Sequence, residues 1–113
     1  MNAFYLNEAQ YLAMNGRVGP MKELYSEYSE KFPQFKDEQY YHTFRLLFTS
    51  ACQFGKSEMA QWLYSEIYSK LTPEQQLSLK PTFNYCYNYA KKYPKFDHLT
   101  NWLVTGTGEQ LSP

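Results

Sequence analysis

The chain has 113 residues, of which 43% are hydrophobic and 19% aromatic, enough for one domain that buries about two thirds of the surface its unfolded form would expose. Eleven Lys and Arg balance eleven Asp and Glu, so no net field gathers nucleic acid or anionic lipid, and no apolar run approaches the roughly 20 residues that span a bilayer. The stretch from Met1 to Glu8 lacks the basic flank and continuous apolar core of a signal peptide, which makes the cytoplasm the expected location.

Apolar residues recur at i, i+3 and i+4, predicting about six helices in three pairs. The first runs from Asn2 to Met14 with Phe4, Tyr5, Ala9, Leu12 and Ala13 inward, and Asn15-Gly16 ends it as a left-handed C-cap. Gly19-Pro20 then puts proline in the first turn of the second helix, where its missing N–H costs nothing. Met21, Leu24, Tyr25 and Tyr28 form the inner stripe of that helix, and Phe32-Pro33 stops it. The third helix is predicted from Asp37, or its neighbour, as cap to Phe54. Tyr41, Phe44, Leu47, Phe48 and Ala51 face inward, and Gly55 closes it. Ser57 is the expected N-cap of the fourth helix, with Glu58 in its electropositive first turn and Met59, Trp62, Leu63 and Ile67 on one face.

Thr72-Pro73-Glu74-Gln75 has the pattern of a capping box, so a fifth helix starts at Pro73. Pro81 should break it near Leu79, leaving a second segment from Thr82 to Lys92 with Phe83, Cys86, Tyr87 and Ala90 inward. Asp97 is the expected cap of the last helix, Leu99 to Val104. Residues 1–105 then form a single helical domain and 106–113 a loose tail. No stretch alternates like a strand, so the fold class is all-α.

The helices echo one another. Gly16 and Gly55 are 39 residues apart, as are Leu24-Tyr25-Ser26-Glu27 and Leu63-Tyr64-Ser65-Glu66; Leu99, Trp102 and Leu103 follow Met59, Trp62 and Leu63 after 40. A period in this range is the mark of stacked repeats, because one helical hairpin cannot bury its apolar face alone. The expectation is a short α-solenoid of about three degenerate helix-turn-helix repeats, with Gly16, Gly55, Trp62, Leu63, Trp102 and Leu103 as its structural positions.

The string Ala51-Cys52, Gly55, Glu58, Ala60 and Trp62-Leu63-Tyr64 resembles the divergent ankyrin repeats abundant in large DNA viruses of amoebae. In those, a short inner helix ends in Ala-Cys, turns through Gly and enters an outer helix ending in Trp-Leu-Tyr. The resemblance covers Ala51 to Tyr64 well, with weaker echoes at Gly16 to Glu27 and Asp97 to Leu103. It implies an ankyrin-like stack, a viral protein working in the host cytoplasm, and recognition of other proteins. The spacing exceeds the ankyrin period of about 33 residues, and no segment matches the one that builds the ankyrin β-hairpin, so binding through hairpin tips is not implied.

Chemistry-bearing patterns are sparse. Cys52 and Cys86 sit among apolar residues without the close Cys or His neighbours of a metal site or redox pair, and read as buried free thiols. His42 and His98 are far apart in sequence and lack a nucleophile in a familiar setting. Glu23, Glu27 and Glu30 read as the solvated face of the second helix. Thr105-Gly106-Thr107-Gly108 lacks the strand-loop-helix context of a phosphate loop. No catalytic residue, cofactor or metal is expected, and the chain is not expected to be an enzyme.

The distinctive number is twelve tyrosines, whose apolar rings and polar tips suit grooves between helices and binding faces. Tyr85, Tyr89, Lys91, Lys92 and Tyr93 form the candidate binding patch. The expected function is protein–protein interaction or assembly through an aromatic-rich helical groove. The alternative is single-stranded nucleic acid held by phosphate contacts and base stacking. Phe4, Tyr5 and the Tyr85 to Tyr93 series also make a homo-oligomer a way to cover the end hairpins.

Overall fold

Two glycine turns set the frame of the molecule. The structure is a computed structural model that describes the backbone of residues 3–31 and 38–107 and the side chains of 6–27 and 41–107. Helix α1 (Ala3–Met14) turns at Gly16 into α2 (Val18–Lys31), and α3 (Glu38–Gln53) turns at Gly55 into α4 (Ser57–Glu66). Both glycines are left-handed, at φ 66° and 68°, a region that a Cβ penalises.

The two turns correspond bond for bond. The Gly16 amide donates to the Ala13 carbonyl at 3.2 Å and Arg17 to Leu12 at 3.0 Å; Gly55 donates to Cys52 at 3.1 Å and Lys56 to Ala51 at 2.8 Å. This is the Schellman pattern, which satisfies the last carbonyls of each first helix. Val18 and Ser57 then donate back to the glycine carbonyls, both at 3.0 Å, and so enter the next helix as its first residue. Ser57 is therefore not the cap expected for α4. Lys56 holds that position without a side-chain bond, and Ser57 Oγ accepts from Gln61 Nε2 at 3.0 Å instead.

Past a 3-10 turn at Tyr68–Lys70 come α5 (Pro73–Ser78), α6 (Lys80–Ala90), a second 3-10 turn at Pro94–Phe96 and α7 (Asp97–Thr105). The capping box at the start of α5 is complete: Thr72 Oγ1 accepts from the Gln75 amide at 3.2 Å, and Gln75 Oε1 from the Thr72 amide at 3.0 Å. Leu79 joins α5 to α6. Helix α6 opens at Lys80, earlier than the Thr82 expected, because Pro81 in a first turn needs no N–H partner. Asp97 is not a cap either. The preceding 3-10 turn delivers it already helical, at φ −56° and ψ −39°, and its carboxylate lies in the positive first turn of α7.

The helices pack as α1 with α2, α3 with α4 and α6 with α7; α3 lies between α1 and α6, and α4 touches both α2 and α7. The molecule measures 40 × 29 × 19 Å, and its thinnest dimension is about two helix diameters of 10 Å. Phe44, Phe48 and Phe83 fill the core between α3 and α6, with ring centroids 5.0 Å apart for Phe44–Phe48 and 5.1 Å for Phe48–Phe83. Each such side chain contributes about 1.5–3 kcal/mol by leaving water. Met59, Leu63, Leu99 and Leu103 are fully buried on the second helices.

Trp62 and Trp102 are half-buried against this core. Each meets a tyrosine edge-on from the preceding second helix, Tyr25–Trp62 at 5.7 Å and 86°, Tyr64–Trp102 at 5.5 Å and 87°. The chain is pinned beyond α7 as well. Thr107 is buried, its Oγ1 donating to the Leu103 carbonyl and its own carbonyl accepting from Tyr64 Oη, both at 2.8 Å.

The described residues contain seven α-helices and no strand, so the all-α expectation holds. The expected stop at Phe32-Pro33, the Asp37 cap, residues 108–113 of the expected tail, and the side chains of Phe4, Tyr5, Tyr28 and Glu30 lie outside the described residues.

Candidate functional site

Helix α6 is amphipathic in an unusual sense, since both of its sides are aromatic. Phe83, Cys86 and Ala90 are buried toward α3, while Tyr85 and Tyr89 fall four residues apart on the outer side and are joined by Tyr93 just past the helix end. Tyr85 is 49% exposed and Tyr93 39%. Their rings form a continuous run, with centroids 6.2 Å apart for Tyr85–Tyr89, 5.4 Å for Tyr89–Tyr93 and 5.3 Å for Tyr93–Phe96. The 3-10 turn that carries Phe96 extends the run past the point that helical spacing alone foretells.

The tyrosine hydroxyls are partly engaged. Gln53 Nε2, from α3, donates to Tyr85 Oη at 2.9 Å, which leaves the phenol proton free to be donated outward. A hydrogen bond to Tyr93 raises the Tyr89 phenol above its ordinary pKa, with smaller contributions from burial and from the neighbouring phenols, so that hydroxyl keeps its proton at neutral pH. Beside Tyr85 a shallow groove of about 350 Å³ runs between α3 and α6, lined by Arg45, Leu46, Thr49, Pro81, Thr82 and Tyr85.

The two candidate lysines part company. Lys92 is exposed and falls on the turn above Tyr89, whereas Lys91 lies over the ring of half-buried Tyr87 at 5.2 Å, on the other flank of the helix. Lys95 lies over Phe96 at 5.4 Å. The structure thus brings Tyr85, Tyr89, Tyr93 and Lys92 onto one face and sets Lys91 apart. Phe96 follows the tyrosine and lysine series directly in sequence, whereas Arg45 and Gln53, which also border that face, carried no sequence signal, because nothing in their spacing connects them to α6.

Elsewhere the chemistry is thin. His42 is exposed against Tyr41 at 5.2 Å, and His98 is exposed at the start of α7. Among the described residues no three His, Cys, Asp or Glu side chains gather as a metal site would require. Cys52 and Cys86 are free and buried, but they are not isolated as the sequence suggested. They face each other across the α3–α6 contact. Burial first, then the hydrogen bond and repulsion from Cys86, pushes the Cys52 thiol well above its ordinary pKa. A second recess, of about 280 Å³, lies where the glycine turns adjoin, between Asn15, Gly16, Gly55 and Lys56.

No described helix is long and apolar enough to cross a membrane. No family model matches the chain, and neither a curated protein nor a solved structure matches it.

Proposed function

We propose that this chain is a noncovalent protein-recognition module, a short stack of three degenerate ankyrin-like helical repeats that presents its tyrosine face to a protein partner in the cytoplasm and catalyses no reaction. Two correspondences support the repeat: the glycine turns match bond for bond at an offset of 39 residues, and the Tyr25–Trp62 contact recurs as Tyr64–Trp102. The third hairpin departs from the pattern, turning through Lys91 to Phe96 without a left-handed glycine, as terminal repeats commonly do.

The observation that carries the functional reading is the run of rings Tyr85, Tyr89, Tyr93 and Phe96, of which Tyr85 and Tyr93 are exposed and Tyr89 and Phe96 half-buried. Its tyrosines stand outside the core of the α3–α6 contact, which is made by Phe44, Phe48 and Phe83, while Phe96 packs against that core. Surface tyrosines whose rings rest on one another are already restrained, so they lose little rotamer entropy on binding and serve as anchors of the kind that dominate interface energies.

The test is capture of partners from extract of the native cell, with bound proteins identified by mass spectrometry. Tyr85→Ser with Tyr89→Ser should abolish capture while the helical circular dichroism and melt persist; Lys91→Ala with Lys92→Ala should leave a protein complex largely intact. Loss of binding in the lysine variant alone, with steep weakening as salt rises, would favour single-stranded nucleic acid instead.

A further inference from the structure

The balanced charge of the chain conceals a segregation. Eleven cations and eleven carboxylates cancel overall, yet no Asp or Glu occurs from Gln39 to Ser57 or from Gln75 to Phe96. Those segments form the described side chains of α3 and the whole of α6 with the turn after it. They carry Arg45, Lys56, Lys80, Lys91, Lys92 and Lys95, with Lys56 in the Gly55 turn. Carboxylates gather on the other layer, as Glu23 and Glu27 on α2 and Glu58 and Glu66 on α4. The layer that bears the tyrosines is therefore the electropositive one, and a field of this sign selects for negative charge in whatever approaches.

We propose that the tyrosine face takes an acidic peptide segment of its partner, laid in extended form across the groove between α3 and α6. This rests on the protein-recognition reading above and narrows it to one chemistry. Arg45 forms one wall of the groove, its guanidinium 6.0 Å above the Tyr41 ring. Among the described residues neither Arg45 nor Lys92 is in an ion pair; the pair present there is Lys70–Glu66, on the other layer. Arg45 and Lys92 flank the phenols, so carboxylates on the peptide meet a cation and a hydroxyl donor together. The Tyr85 hydroxyl, which already accepts from Gln53, keeps its proton for that purpose. At about 350 Å³ the groove accommodates a few residues of extended chain.

The ring geometry favours a peptide over a nucleic acid. Successive tyrosine planes are inclined by 33° and 45°, so each ring shields the next and no row of parallel faces is open to consecutive bases. Lys91 lies over Tyr87, apart from the tyrosine face, so fewer cations stand beside these rings than a run of phosphates would need.

The experiment is selection of a random peptide library displayed on phage against the immobilised full chain, followed by fluorescence anisotropy of the selected peptides. Asp- and Glu-rich peptides should be enriched. The charge-reversed variant Arg45→Glu with Lys92→Glu should bind them at least about tenfold more weakly, keep the parent's circular dichroism, and select Lys- and Arg-rich peptides in their place. Neutral or apolar winners, or equal affinity in the reversed variant, would overturn the proposal. If those winners are still lost in Tyr85→Ser with Tyr89→Ser, protein recognition by this face stands while its acidic specificity falls. Tighter saturable binding of oligo(dT) than of any selected peptide would overturn both.

Discussion

Gly16 and Gly55 share a backbone conformation but not an environment, and the difference is measurable. At either site an alanine pays for a left-handed backbone, about 1 kcal/mol. At Gly16 the new Cβ meets the flexible Lys56 chain, with Cδ at 3.0 Å, whereas at Gly55 it lands 2.3 Å from Cε1 and 2.4 Å from Cδ1 of Phe96. Carbon pairs settle near 3.5–4.0 Å, so the Phe96 ring must shift by more than about 1 Å, an overpacking cost of about 1–3 kcal/mol. Gly16→Ala should therefore cost about 1 kcal/mol and Gly55→Ala about 2–4 kcal/mol, read as urea midpoints by far-ultraviolet circular dichroism. At roughly 4 °C per kcal/mol for a domain of this size, the melts should separate clearly. In a Phe96→Ala background the cost of Gly55→Ala should fall to that of Gly16→Ala, a coupling of about 1–3 kcal/mol. Equal losses at the two glycines, or a Gly55→Ala cost untouched by removal of the ring, would refute the assignment of Phe96 as the lid of this turn.

Thr72→Ala removes one half of the capping box and should lower stability by about 1 kcal/mol with an unchanged denaturant slope; an unaltered midpoint would mean that α5 contributes nothing to the cooperative unit. The buried Cys52 thiol gives a pH dependence. With Cys52 held above its ordinary pKa, the folded chain keeps a proton that the unfolded chain releases. Stability should be flat in this respect below the unfolded thiol pKa, then decline from about pH 8.5 upward toward the folded value. Cys52→Ala should flatten that decline relative to the parent, and a slope identical in the two proteins would assign it to other groups.

Legibility in the sequence followed the range of the physics. The Gly16 and Gly55 turns, the Thr72 to Gln75 box and the Pro81 break are decided by residues within one helical turn of each other, and all were readable. Ser57 and Asp97 look like caps by composition, but the bonds of the preceding turn claim the backbone first, and that competition is invisible in a residue type. Tyr85 and Tyr89 were placed on one face by spacing alone. The Gln53 bond to Tyr85, the wall made by Arg45 and the meeting of Cys52 with Cys86 depend on how α3 and α6 are rotated against each other. That rotation is set by tertiary packing of Phe44, Phe48 and Phe83, which leaves no periodic trace.

The central position of α3 and α4 has a dynamic consequence. Losing α1 and α2, or α6 and α7, would uncover one side of the middle pair, but opening the middle pair uncovers both of its neighbours. Nearest-neighbour architectures of this kind open from their ends, each excursion costing only the interface it breaks. The amides of α3 should then be the slowest in the molecule to exchange with solvent, released only when the whole chain unfolds, while those of α1 and α2 exchange through cheaper local openings. The groove proposed to take a peptide lies along the seam between that slowest helix and an end pair. Clamping a ligand there joins the two, so occupancy should be legible as slowed exchange throughout α6 and α7, far beyond the residues it touches.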